Sequence, residues 1–232
     1  NYKKNIGKTM ITVLLTVWKR DNFLQQLNAI KEQTANVERI VVYQNEDHVD
    51  LKQYQDGSWE HIQSSTNLKY HGRFTLPLLF TSEYTAIFDD DTIPAPQWLD
   101  HCITTSKKLN CIIGANGRNR SGRGSIGICD GRTNDEPVRC DIVGHCWFFK
   151  TNWINYMWRE PTVSFSTGED IQFCASAKLF GKIDSYVPAQ PANKPEVWGD
   201  TNPLLGTDEH ASWKLPHHNP DREKLYDHYS QL

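Results

Sequence analysis

The chain has 232 residues, enough for one large domain or two small ones. Hydrophobic residues make up 38% of it and charged residues 23%, which excludes an intrinsically disordered chain. A formal net charge of -3 excludes a general electrostatic nucleic-acid binder, so no nucleic-acid partner is expected.

Residues 10–17 (MITVLLTV) form a continuous apolar, β-branched run, the pattern of a strand buried on both faces. Asp21 is placed to cap a helix on which Phe23, Leu24, Leu27 and Ile30 recur at helical spacing. Residues 37–43 (VERIVVY) give the next strand, which runs into Gln44, Asn45 and Glu46. Two strands joined by a helix of this length make a right-handed βαβ unit. Ligands of open α/β sheets bind beyond the carboxyl ends of the strands. Residues 16–20, Asn45 and Asp89–Asp91 are therefore expected to face one crevice. Neither a GxGxxG nor a GxxxxGK[ST] motif is present, so a dinucleotide fingerprint and a P-loop are unsupported.

A short strand is expected over residues 62–66 and a helix over 75–80. Residues 84–88 (YTAIF) are an apolar strand that runs straight into Asp89, Asp90 and Asp91. Three adjacent carboxylates repel one another and need a compensating charge. At a buried strand end, a divalent metal shared with a phosphate supplies it most simply. Pro94 and Pro96 then break the chain, and Trp98, Leu99, Cys102 and Ile103 mark one face of a helix. Residues 111–115 read as a strand. Residues 116–137 carry Arg118, Arg120, Arg123 and Arg132 among Gly117, Gly122, Gly124, Gly127 and Gly131. The expectation there is a long irregular segment whose arginines are either solvated or meet a phosphate or an anionic acceptor. Strands are expected over 138–143 and 146–149, and a helix over 152–158. Thr167 or Gly168 is placed to cap a helix with Glu169 and Asp170 in its first turn, where acids also suit the helix dipole without any function. A last strand is expected over 183–187, then a Pro-, Asn- and Gly-rich loop over 188–205. The tail from Asp208 carries His210, His217, His218, Arg222 and His228 with few core positions, and folds over a ligand or lies on the surface.

Eight Trp and nine Tyr serve as core aromatics or as sugar-stacking platforms. Six cysteines include no CxxC pair, which argues against zinc, and Cys102, Cys111, Cys146 and Cys174 sit in apolar runs as buried thiols. No signal-like segment and no membrane-spanning apolar run occurs, so the expectation is a cytoplasmic protein or the catalytic domain of a larger or anchored one. The start at Asn1 fits a piece of a longer protein.

A βαβ opening, a strand ending in three aspartates and a later Gly-Glu-Asp helix together resemble the nucleotide-sugar glycosyltransferases of the GT-A fold. Within them, residues 14–20, 41–45, Asn67 to Arg73, 88–91 and 141–149 are similar to the exostosin-type transferase domain, with family-2-like transferases sharing the outline. The usual TYNR-like opening is TVWKR here. The resemblance spans about residues 10–190. It implies an α/β fold, a single GT-A domain with a mostly parallel sheet flanked by helices. Residues 8–110 would be a nucleotide-sugar-binding half, 111–190 an acceptor half, and 191–232 a loop and tail able to act as a lid. It implies a metal-dependent glycosyltransferase with a DXD-type motif, moving a sugar from a nucleoside diphosphate donor, UDP-sugar favoured, to a glycan or glycoconjugate.

Under that resemblance Thr16, Trp18, Arg20 and Asn45 border the base and ribose, and Asn67 and Arg73 hold the nucleotide. Asp89 and Asp90 lie near the ribose and donor sugar. Asp91, with Asp89 and His210, ligates Mn²⁺ or Mg²⁺, and His210, His217, His218 and Arg222 are the candidates to close over the diphosphate, Arg222 being the one assigned to the nucleotide sugar. Asp170, with Glu169, sits at the anomeric carbon. The exostosin-like motifs point to retention, and the Thr-Gly-Glu-Asp sequence to inversion, the course expected here. Two alternatives remain: a nucleotidyltransferase, which the missing Gly-rich, Lys-containing loop weighs against, and a non-catalytic carbohydrate-binding domain, which the intact acids weigh against.

Overall fold

The computed structural model describes residues 9–121, 134–231 and, through their backbone, 125–129. Arg123, Arg132, Gly122, Gly124 and Gly131 lie outside the described residues.

The apolar runs become the strands that their β-branched composition favours. Strands β1 (Ile11–Val17), β2 (Val37–Asn45), β3 (Glu60–Ser64) and β4 (Tyr84–Phe88) are mutually parallel, in the order β3-β2-β1-β4. Beyond β4 the same sheet continues with β10 (Cys146–Lys150), β5 (Ile112–Ile113), β11 (Ser185–Val187) and β8 (Val138–Cys140). Strand β10 is antiparallel to β4 and β5, and β8 to β11. The result is a mixed but mostly parallel sheet of eight strands.

Successive side chains of β1 go to opposite faces, as a strand requires. Ile11, Val13, Leu15 and Val17 pack with α1 (Phe23–Lys31) and α3 (Trp98–Leu109) through Phe23, Leu27, Ile30, Trp98 and Leu99. Leu14, with Val41, Ile87, Trp147 and Phe149 of neighbouring strands, packs on the other face. That face is covered by α2 (Gly72–Thr75), α4 (Ile154–Met157), α5 (Glu169–Gly181) and α6 (His218–Gln231).

Four expectations are corrected. Asp21 does not cap α1; Asn22 holds that position without a side-chain bond. The helix over 75–80 is instead α2 followed by a 3₁₀ turn, Leu76–Leu79, because Pro77 lacks the N–H that an α-helix would use. Residues 116–137 are not wholly irregular: β6 (Asn116–Arg120), β7 (Ser125–Cys129) and β9 (Ile142–Gly144) form a small antiparallel sheet, β7-β6-β9. The tail does not simply lie on the surface, since its few core positions, Leu225, Tyr226 and Tyr229 of α6 among them, are buried in the core beside α5. Cys102, Cys111, Cys146 and Cys174 are buried free thiols, as their apolar runs suggested. Among the described residues no helix is long and apolar enough to cross a membrane.

Candidate functional site

The carboxyl ends of β1, β2 and β4 open on one side of the sheet. Thr16 Oγ1 donates to the carbonyl of Phe88 at 2.7 Å and so ties β1 to the end of β4. The chain after Phe88 is held as a tight turn. The Asp89 amide donates to the carbonyl of His145 at 3.0 Å, and Gln26 Nε2 donates to the carbonyls of Asp89 and Thr92 at 2.6 and 2.9 Å. The three carboxylates therefore project from a backbone fixed on both sides.

Their compensating charge comes from the protein itself. Arg73 pairs with Asp89, and Arg20 Nη1 lies 2.5 Å from Asp90 and 3.2 Å from Asp91. Arg20 turns its other edge to Asp208, with Nε and Nη2 donating at 2.7 and 2.8 Å. Burial, with the charges of Asp91 and Asp89, pushes Asp90 up to about 7 against the pull of Arg20. Burial and Asp89 likewise raise Asp91, against His145 and Arg20. The three carboxylates of the run thus face two arginines, each of them shared with a further acid, Asp208 or Glu169.

His145 and Asp200, which carry no local sequence signal, complete this end. His145 sits in the left-handed region at φ 62°, between β9 and β10, with Nδ1 3.5 Å from the buried Asp200. Burial of the ring opposes its charge, but Asp200, Asp91 and Asp89 outweigh that and raise its pKa. Gly206 closes over Asp91 from the C-terminal side, where a Cβ would lie 2.8 Å from Asp91 Oδ2.

At the end of β2, Asn45 and Asn67 meet through a 2.9 Å bond, and Asn45 Oδ1 accepts the Leu68 amide at 2.9 Å. They shape the crevice wall by fixing the loop that leads to α2. Trp18 forms its rim: the indole N–H donates to Glu46 at 3.1 Å, and the rings of His48 and His210 pack edge-on at 6.0 and 5.8 Å. His210 thus lies against Trp18, and its amide donates to Asp208 at 2.9 Å. Among the described residues Asp89, Asp91 and His210 form no three-ligand metal set.

Across the crevice stands the first turn of α5. Gly168 caps it at φ 89°, a conformation glycine adopts without strain, and a Cβ there would meet Leu225 of α6 at 2.9 Å. Glu169 Oε1 accepts from Arg73 Nη2 at 2.8 Å, so Arg73 bridges the acid run and the helix while lying 4.7 Å from the Trp147 ring. Asp170 takes both prongs of Arg222 at 2.9 Å each and also accepts the Ile171 amide at 2.8 Å. Burial, Asp170 and Asp89 raise Glu169 despite Arg73. Burial acts the same way on Asp170, but Arg222 and the Ile171 amide outweigh it and hold that carboxyl below its ordinary range. Carboxylates and arginines thus alternate across the crevice, from Asp208 through Arg20 to the acid run, then through Arg73 to Glu169, with Asp170 and Arg222 beyond.

The fold has a counterpart among solved structures. The fold is similar to that of S. aureus TarS, a glycosyltransferase. One TarS structure superposes with a TM-score of 0.56 at 12% identity, covering 81% of this chain and 37% of that one. A second, of TarS residues 1-349, gives a TM-score of 0.56 at 13% identity over 78% of this chain and 60% of that one. The chain therefore spans less than two thirds of either TarS structure. No protein-family profile matches the sequence, and no curated protein matches it significantly.

Proposed function

We propose that the chain transfers a sugar from a nucleoside diphosphate donor, a UDP-sugar by preference, to a hydroxyl of a glycan or glycoconjugate. The observation that carries this reading is the bridge made by Arg73, which sets the Asp89–Asp91 run at the strand ends opposite Glu169 and Asp170 at the start of α5. A diphosphate seeks cations and metal, and a reacting sugar seeks a carboxylate on the far side.

In this reading Thr16, Trp18, Arg20 and Asn45 border the base and ribose, with Asn67 and Arg73 behind them, and Asp90 faces the ribose. Asp91 and Asp89 would hold Mn²⁺ or Mg²⁺. Their oxygen donors suit a hard cation, which needs only one or two carboxylates when phosphates supply the rest. Burial, with the charge of Asp89, raises Asp91, and a cation there would offset both. When bound, the metal would stabilise charge on the departing diphosphate. Asp170 is ionised and accepts the acceptor's hydroxyl proton. The acceptor oxygen bonds to the anomeric carbon, and the bond from that carbon to the diphosphate breaks, its electron pair leaving with the diphosphate. A single displacement of this kind inverts the configuration. Glu169, locked to Arg73, positions the turn.

Hydrolysis and transfer across a panel of nucleotide sugars, with Mn²⁺ or with EDTA, test the reading. Turnover of one donor that requires the metal is expected. Absence of turnover with every donor, together with no UDP binding by calorimetry, would sink it. Equal UDP affinity in EDTA would remove the metal alone.

A further inference from the structure

Arg118 and Arg120 lie two residues apart on β6 and so share one face of the strand. Arg120 is spent: its guanidinium pairs with Asp227 at 2.7 Å and faces Glu223 at 3.9 Å, both on α6. Arg118 is exposed and makes no ion pair among the described residues. The pairing of Arg120 with Glu223 and Asp227 sets this face of β6 against α6, and the charge of Arg118 reaches His218 at the beginning of that helix. His218 lies 3.4 Å from Thr167 Oγ1, beside the capped start of α5. Arg222, one turn into α6, holds Asp170 with both prongs.

The charges facing this spot are Arg118, Arg222, His217 and Asp170; the nearby Asp221 is already taken by Ser166 and by Lys224 at 2.9 Å. Burial first, then the cations, hold His218 down to about 4, so the ring is neutral in a field that is positive on balance. Basic groups continue away from Asp170, since Arg120 also lines an open cleft with Arg139 and Lys178, each of the three paired to a carboxylate. Among the described residues of this face, Arg118 is the cation that makes no ion pair.

We propose that the acceptor is anionic, and that Arg118 and Arg222 bind its phosphate or carboxylate on the acceptor side of Asp170. The inference rests on the glycosyl-transfer reading above. A guanidinium fork matches either anion in two-pronged fashion. An acceptor anion at this place competes with Asp170 for Arg222. Its arrival frees the Asp170 carboxylate, otherwise weakened as a base by its arginine, to take the proton of the acceptor's hydroxyl. A neutral acceptor leaves the ion pair closed, so specificity for charge and activation of the base share one arginine. Arg222 is thereby moved from the donor diphosphate, where the sequence resemblance had put it, to the acceptor.

The test uses the whole chain with the donor crevice saturated by UDP and Mn²⁺, titrated in the calorimeter with glucose, glucuronate and glucose 6-phosphate. Both anionic sugars are expected to bind about tenfold or more tighter than glucose, and the tighter of the two names the anion. Arg118→Gln should bring the anionic affinities down toward that of glucose, and Arg118→Lys should keep part of the preference. Equal affinities for the three sugars on the UDP-loaded wild-type chain would overturn the inference while leaving the donor reading intact. Failure of UDP itself to bind would take down both. The wild-type comparison decides the matter even if a variant does not fold.

Discussion

Glu169 and Asp170 are neighbours in sequence, both in the first turn of α5, and each is held by an arginine. Their ionisation is nevertheless driven in opposite directions. Arg73 is divided between Glu169 and Asp89, one positive charge between two negative ones, and the burial of Glu169 prevails. Arg222 gives both prongs to Asp170 alone, and the pair outweighs burial. What decides the state of a buried carboxylate here is the number of acids each arginine must serve. Environments push these adjacent groups apart: Asp170 is held toward its ionised form and Glu169 toward its protonated form.

The largest effect should come from the shared arginine. Arg73→Met would leave Asp89 and Glu169 buried without their cation, a loss of about 3–5 kcal/mol of stability. Urea denaturation measures it, and a loss below about 1 kcal/mol, the scale of surface pairs, would mean that the bridge is not the frame described here.

Asp170→Asn should lower turnover by about 10² or more with UDP affinity nearly unchanged, whereas Glu169→Gln should cost less than about tenfold. Equal losses for the two would erase the distinction between base and positioning group.

The pH dependence sharpens the comparison. Glu169 has a folded pKa raised above its unfolded value of 4.5, so its contribution to stability is fully present below pH 4.5 and is lost as pH rises toward about 7. Asp170 has a depressed folded pKa, so its contribution is present above the ordinary carboxylate range and is lost as pH falls through its lower folded value. Chemical melts of each variant against the parent should show Glu169→Gln gaining relative stability between pH 4.5 and 7, and Asp170→Asn gaining it only in acid. The same trend in both would refute opposite ionisation.

The smallest effect belongs to Asp208→Asn. The Asp208 side chain is 30% exposed at its pair with Arg20, so the loss should stay near or under about 1 kcal/mol. Thermal melts check it, and a loss as large as that of Arg73→Met would make the tail part of the frame.

The strands β1, β2 and β4, the acid run and the start of α5 were legible because continuous β-branched runs and helical spacing report burial directly. Strand β6, with the sequence NGRNR, has no apolar alternation to read. Gly117 sits tightly on Cys140 and Val187, so close approach of backbone takes the place of side-chain burial. Helix α6 was hidden because Leu225, Tyr226 and Tyr229 are its only buried residues in an otherwise polar segment. At the site, Asp89 and Asp91 drew attention as a run, but nothing local marks Asp200 or His145, which reach the run across the fold. The need for a counter-charge was read correctly; that Arg20, Arg73 and His145 supply part of it was not, because ion pairs between distant residues leave no spacing to recognise.

The ion pair of Arg20 with Asp208 joins residues 188 positions apart. Contacts of such separation form late, because the entropy of closing the loop must be met before the contact rewards it. Strand β1 and the turn after it are made well before Asp208, so the acid-lined end of the crevice stays open until synthesis has reached that residue. A nascent chain therefore carries Asp90 and Asp91 with Arg20 half engaged until Asp208 has been made. Closure of this corner becomes the event that marks maturation, and the contact of Trp18 with His210 gives it a fluorescent reporter in refolding. A Trp18 signal that settles in the first phase, before the tail docks, would contradict that order.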